Sequence, residues 1–195
     1  MPTNKKIDRL EGIYFITFTC YKWLPLFEIA DGYHLVYDWF DYLKSRGHFI
    51  NGYVIMPNHL HTLISFRNTE KPINTTIGNG KRFLAYDLVQ MLKAKKSTDL
   101  LNLLSQGVKP TDAKRGKLHQ VWEDSFDWKE CRSREFMLQK LNYMHNNPCV
   151  GKWNLVPSPV NYIHSSAKFY ITGEQGIYPV TSYMDMEDVY LNKRQ

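Results

Sequence analysis

The stretch Met56–Ile64, MPNHLHTLI, places His59 and His61 one residue apart inside an apolar run. In a strand, residues i and i+2 share a face, so the two imidazoles project together and can chelate one divalent ion. Leu60 between them points to the opposite face. Two ligands are too few for a stable site, so a third must come from elsewhere in the fold. Taken alone the pair is weak evidence. Two strand histidines without a metal account for it at least as well.

A second stretch, Phe136–Pro148, reads FMLQKLNYMHNNP. Met137, Leu141 and Met144 recur at helical spacing and form a core stripe. Phe136, Lys140, Tyr143 and Asn147 form a stripe beside it, so Tyr143 emerges at the edge of the buried face. Lys140 lies one turn before Tyr143 and adds positive charge. Asn147 lies one turn after it, where its amide oxygen could complete a metal site that also receives the reacting partner of the phenol. His145 is about 200° around the helix from Tyr143 and ranks below Asn147 as a third ligand. An amphipathic helix with a half-buried tyrosine is the ordinary alternative.

The elements that must position these groups follow from pattern. Gly12–Tyr21 (GIYFITFTCY) reads as a buried strand. A loop containing Pro25 leads to a helix ending near Gly47. Residues 48–56 and 59–66 read as an antiparallel hairpin turned at Pro57-Asn58. Residues 73–96 read as a helix, capped by Thr76 or Asn79. Residues 97–116 read as a linker with a short helical start, and 119–122 as a fourth strand. Ser133 is a fair N-cap for the tyrosine helix, which Pro148 stops. A Pro-rich turn, a short helical piece (SSAKFY) and a polar tail close the chain. The order matches an α+β, ferredoxin-like βαββαβ antiparallel sheet with helices on one face, plus a C-terminal tyrosine-bearing helix and tail. Residues 1–156 are expected to form the catalytic domain, with 157–195 an extension packed on it or trailing from it.

Bulk properties set limits on this reading. The chain has 195 residues, of which 43% are apolar, enough for a core and unlike a disordered segment. A net charge of +6 favours polyanionic partners. Three cysteines, none in C-x-x-C spacing, argue against a disulfide framework and for a reducing compartment. No apolar leader or membrane-length run is apparent, so no membrane partner is expected and a cytoplasmic, nucleoid-associated protein is.

Together these residues resemble the HUH single-tyrosine transposases, and most of all their REP-associated branch. His59-Leu60-His61 matches the His-hydrophobic-His motif. Tyr143-Met144-His145-Asn146-Asn147-Pro148-Cys149 is similar to the Y-I-H-x-N-P-V tyrosine helix. Tyr162–Tyr170 (YIHSSAKFY) and Ile77–Phe83 (IGNGKRF) resemble two further segments of the branch. The resemblance spans about residues 10 to 170. It implies cleavage and rejoining of single-stranded, hairpin-associated DNA through a 5′-phosphotyrosine. Tyr143 would be the nucleophile, with His59, His61 and Asn147 binding Mg²⁺ or Mn²⁺. Two departures stand out: CVGKWNLV replaces a more usual V-R-A-G-L-V, and Gly80 sits where an apolar residue is common.

Lys81 and Arg82 near the second helix, a cluster at Lys114, Arg115 and Lys117, and Lys129, Arg132, Arg134 and Lys140 around the tyrosine helix are candidate phosphate contacts. Trp122, Trp128 and Trp153 are candidate base-stacking groups, with core packing as their commoner role. Two other readings stay open. One is a domesticated binder of structured single-stranded DNA or RNA without turnover. The other is a metal-dependent hydrolase using water. The active unit is a monomer or a homodimer.

Overall fold

The computed structural model describes residues 7, 9–124, 126–151 and 153–186. Four strands form one antiparallel sheet: β1 (Gly12–Thr19), β2 (Phe49–Met56), β3 (His59–Phe66) and β4 (Asp127–Glu130), in the order β2-β3-β1-β4. Seven helices are described: α1 (Leu26–Ala30), α2 (Tyr33–Ser45), α3 (Ile73–Ala94), α4 (Thr98–Gln106), α5 (Pro110–Ala113), α6 (Arg134–Asn146) and α7 (Ala167–Thr172). The βαββαβ order and the strand order together are those of a ferredoxin-like sheet.

Alternation along the strands builds two cores. Tyr14, Ile16 and Phe18 of β1, with Leu60, Ile64 and Phe66 of β3, meet α2 and α3 on one face. Ile13 and Phe15, with Val54, Met56 and Leu63, meet Met137, Leu141 and Met144 of α6 on the other. The helices thus divide between the faces: α2 and α3 on one, the tyrosine helix on the other. In register, His61 pairs with Thr17 and His59 with Thr19. Both imidazoles therefore face α6.

α6 begins where its cap requires. Ser133 is extended (φ −136°, ψ 157°) and its Oγ accepts from Phe136 N at 3.2 Å. It ends in a 3-10 turn, Asn147–Cys149, so Asn147 keeps helical angles one turn beyond Tyr143.

The C-terminal segment lies along β2, the edge strand. Ile55 N donates to His164 O, Ser166 N to Tyr53 O and Thr181 N to Ile50 O, at 2.9, 3.0 and 2.9 Å. These bonds occupy an edge that would otherwise be open to another chain. The same segment holds α6, because Ser166 Oγ also lies 2.8 Å from His145 Nε2.

Several local expectations need correction. The fourth strand is Asp127–Glu130, not 119–122. The earlier segment makes one bridge, Trp122 to Cys20, as it crosses the end of β1. Its apolar residues are buried by that crossing, not by a ladder. Neither Thr76 nor Asn79 caps α3. The helix starts at Ile73, whose N–H and that of Asn74 donate to Arg9 O and Ile7 O. A tertiary contact does what a side-chain cap would do. The loop with Pro25 contains α1, too short to show a period. The linker 97–116 contains α4 and α5. Of the expected polar tail, residues 187–195 lie outside the described residues.

Candidate active site at the histidine pair and the tyrosine helix

His59 and His61 sit at the start of β3, each about one-twentieth exposed, with ring centroids 4.8 Å apart. Their Nδ1 atoms are both engaged. Asn58 Nδ2 donates to Trp23 O at 3.1 Å. A carbonyl can only accept, so this bond orients the carboxamide and turns Oδ1 toward His59 Nδ1, 2.6 Å away. Nδ1–H of His59 must then donate, so Nε2 is the ring nitrogen that carries the lone pair. His61 Nδ1 lies 2.7 Å from Thr17 Oγ1, which is able to accept in the same way. An anchored Nδ1 with the lone pair on Nε2 is the tautomer in which an imidazole binds a metal. Burial, then the positive charges of His59 and Lys140, hold His61 well below its ordinary pKa of 6.5. It is neutral near pH 7, the form that binds a cation.

Tyr143 stands over this pair. Its ring centroid lies 5.3 Å from that of His61 and 6.2 Å from that of Phe15, and the side chain is 55% exposed. Phe15 stacks on His61 at 5.3 Å. Phe15 thus contacts both rings while the phenol reaches solvent. Lys140 Nζ lies 5.8 Å from the Tyr143 ring centroid and 5.3 Å from that of Phe15. The turn carrying the histidines is sealed from behind, with Pro57 O and Asn58 O accepting from Phe27 N and Cys20 N at 3.0 and 2.9 Å.

The other sequence candidates fall in different places. Asn147 is half-buried on the Tyr143 side of α6, and among the described residues its side chain makes no hydrogen bond to either histidine. His145 faces away and is buried against Ser166. Burial pulls its pKa down to about 4. Among the described residues no three His, Cys, Asp or Glu side chains converge, so the histidine pair needs donors of another kind. Lys129 is exposed and in register with Phe15, on the tyrosine face. Arg134 is exposed at the first turn of α6. Arg132 pairs with Glu130 at 2.6 Å. Arg82 is exposed on α3. Lys81 is half-buried and donates to Glu123 O at 3.0 Å. Burial, with Lys117 nearby, lowers its pKa to about 8.

Of the tryptophans read as stacking groups, Trp122 is buried with Nε1 donating to Lys81 O at 2.7 Å. Trp128 and Trp153 are half-buried against the two cores. The exposed indole near the histidines is Trp23, which no periodicity marked. Its ring is 54% exposed, with its centroid 5.8 Å from that of His59. Asn58, the orienting residue, is adjacent to the H-x-H motif and was readable only as turn chemistry.

The class this defines is a ferredoxin-like α+β domain with a tyrosine helix laid across a histidine-bearing strand. No protein-family profile matches the chain, and no curated protein does. Among solved structures, the chain is similar to a REP-associated tyrosine transposase bound to a REP hairpin. The TM-score is 0.60 and identity 16%, covering 93% of each chain. A putative transposase from Deinococcus radiodurans R1 aligns at a TM-score of 0.41 and 16% identity, over 74% of this chain and 96% of that one. The chain shares its fold with that REP-associated tyrosine transposase.

Proposed function

We propose that this chain is a single-stranded DNA endonuclease and strand transferase, transposase-like, which cleaves hairpin-associated DNA through a 5′-phosphotyrosine on Tyr143. The observation that carries the reading is the exposed Tyr143 ring, 5.3 Å from buried His61, whose neighbour His59 has its Nδ1 tied back. The likeness in fold to a transposase solved on a REP hairpin supports a hairpin-bearing strand as the substrate class.

The donor set fits a divalent ion. His59 and His61 would hold it through Nε2 and Asn147 through its amide oxygen, a mixed N/O set with positions left for phosphate oxygens. When bound, Mg²⁺ or Mn²⁺ polarises a non-bridging phosphate oxygen. Tyr143 Oη forms the new bond to phosphorus as the P–O3′ bond breaks, and the 3′-oxygen leaves as a hydroxyl by taking a proton from solvent. The phenolic proton passes to solvent. Lys140, with Nζ 5.8 Å from the Tyr143 ring centroid, supplies positive charge beside the phenol. A 3′-hydroxyl later attacks the phosphotyrosine, and Tyr143 is restored. Lys129, Arg134 and Lys140, with Arg82, Arg132 and Lys81 further off, supply positive charge for the strand.

The test is a denaturing gel of the protein with labelled single-stranded DNA bearing imperfect hairpins, in Mg²⁺ or Mn²⁺. An adduct that survives SDS is expected, absent in EDTA and absent in Tyr143→Phe. Cleavage that persists in Tyr143→Phe without an adduct would replace this reading with a hydrolase using water. Binding that ignores EDTA, with no cleavage, would replace it with a binding module.

A further inference from the structure

We propose that Trp23 is a stacking platform for one unpaired nucleobase beside the histidine pair. The proposal rests on the reading above, in which that pair receives a single strand.

Four observations carry it. The indole is 54% exposed, although large aromatics elsewhere in the molecule mostly fill the two cores. Its ring centroid lies 5.8 Å from that of His59, the planes 70° apart, which puts the exposed ring about one nucleotide from any phosphate held there. The backbone beneath it is held in a conformation that side-chain-bearing residues seldom adopt. Lys22 and Trp23 have φ of +51° and +58° in succession. Finally, that backbone is clamped from both sides. Trp23 N donates to Cys20 O at 2.9 Å, and Trp23 O accepts from Asn58 Nδ2 at 3.1 Å. A strained, doubly anchored loop that exposes its largest apolar ring is unexplained by packing. It is explained by a ligand that needs a flat, rigid surface at that point.

The ligand chemistry follows from the surface. An indole face accepts any base, because every base has a π-face, so the contact tolerates sequence. A platform ordered before binding spares the strand the cost of ordering it. The carboxamide of Asn58 joins the two functions: the same side chain fixes Trp23 O and orients His59. Seating a base on Trp23 would therefore set the neighbouring phosphate against the imidazole pair.

The test compares wild type, Trp23→Phe and Trp23→Ala in EDTA, where no cleavage occurs. The readout is fluorescence anisotropy of a labelled single-stranded oligonucleotide carrying an imperfect hairpin. An abasic residue is moved one position at a time along the unpaired flank. Trp23→Ala is expected to bind on the order of tenfold more weakly, with Trp23→Phe between it and wild type. One abasic position should weaken wild type and leave Trp23→Ala unaffected, the signature of a direct base contact. Intrinsic fluorescence offers a readout that does not need the alanine variant to fold: quenching by DNA in wild type should shrink in Trp23→Phe. Equal affinities in folded variants, or a loss the same at every abasic position, would overturn the platform. Absence of an SDS-stable adduct with wild type would overturn the cleavage reading and leave this binding result standing.

Discussion

Asn58 shows how much one buried side chain can decide. It is fully buried in the turn before the H-x-H pair, with Nδ2 on Trp23 O and Oδ1 on His59 Nδ1. Removing the acceptor frees the imidazole to rotate and to take the wrong tautomer. Asn58→Ala should weaken Mn²⁺ binding about 10- to 100-fold by calorimetric titration. Asn58→Asp, which keeps the acceptor toward His59, should retain most of it. Equal weakening in both would mean that the turn, not the imidazole, is what Asn58 supports. A pair of glycines two residues apart in α3 gives a second test at this scale. At Gly80 a Cβ would lie 2.6 Å from Trp39 Cε2, a rigid ring. At Gly78 it would meet nothing within 4 Å. Gly80→Ala should lower stability in urea by about 1 kcal/mol or more, overpacking outweighing helix propensity. Gly78→Ala should raise it by up to about 1 kcal/mol.

At the scale of elements, the proposed activity depends on how α6 is held over β2 and β3. Its buried stripe of Met137, Leu141 and Met144 was readable from spacing, and so was the edge position of Tyr143. What the stripe rests on was not. Gly52, beside the irregularity in β2, lets α6 approach: a Cβ there would come 2.7 Å from Met144 Cε. The segment YIHSSAKFY supplies the other support, with Ser166 on His145 and Tyr162 Oη donating to Ile55 O at 2.8 Å. Ser166→Ala leaves His145 buried without this partner. It should slow adduct formation more than it weakens DNA binding, because it loosens the helix that carries Tyr143. A parallel loss of both would show that the segment serves the fold alone.

Across the whole molecule, buried and half-buried histidines make stability depend on pH. His48, His61, His145 and His164 all sit below the ordinary 6.5, each chiefly through burial, and His145 reaches about 4. An unfolded chain takes up these protons near pH 6.5 and the folded one does so only at lower pH. The unfolded state therefore binds more protons in that window. Stability is full above about pH 6.5 and falls as the pH drops toward 4, by roughly 1.4 kcal/mol per pH unit for each histidine kept neutral. Urea unfolding in EDTA at pH 7.5, 6 and 5 should show a midpoint that declines steeply below 6.5. A flat profile would mean that these rings are hydrated in the native state. Among the described residues no helix is long and apolar enough to cross a membrane.

By itself the sequence determined what short-range periodicity can encode. β-Branched and aromatic composition marked β1, β2 and β3, and the two-residue period of a strand put His59 and His61 on one face. The 3.6-residue period and the Ser133 cap marked α6 and the stripe holding Tyr143. These elements are long, and their apolar patterns repeat. Tertiary structure decided what depends on contacts between distant segments. β4 is four residues with two of them exposed, so its existence rests on pairing with β1 and not on its own pattern. The start of α3 is set by carbonyls of Ile7 and Arg9, more than sixty residues away along the chain. Trp23 lies in a loop without period, and it reaches His59 because a strained turn and the Asn58 carboxamide hold it there. The sequence could name His61 and Tyr143 as candidates, but only the packing of β1, the hairpin and α6 against one another brings their ring centroids to 5.3 Å.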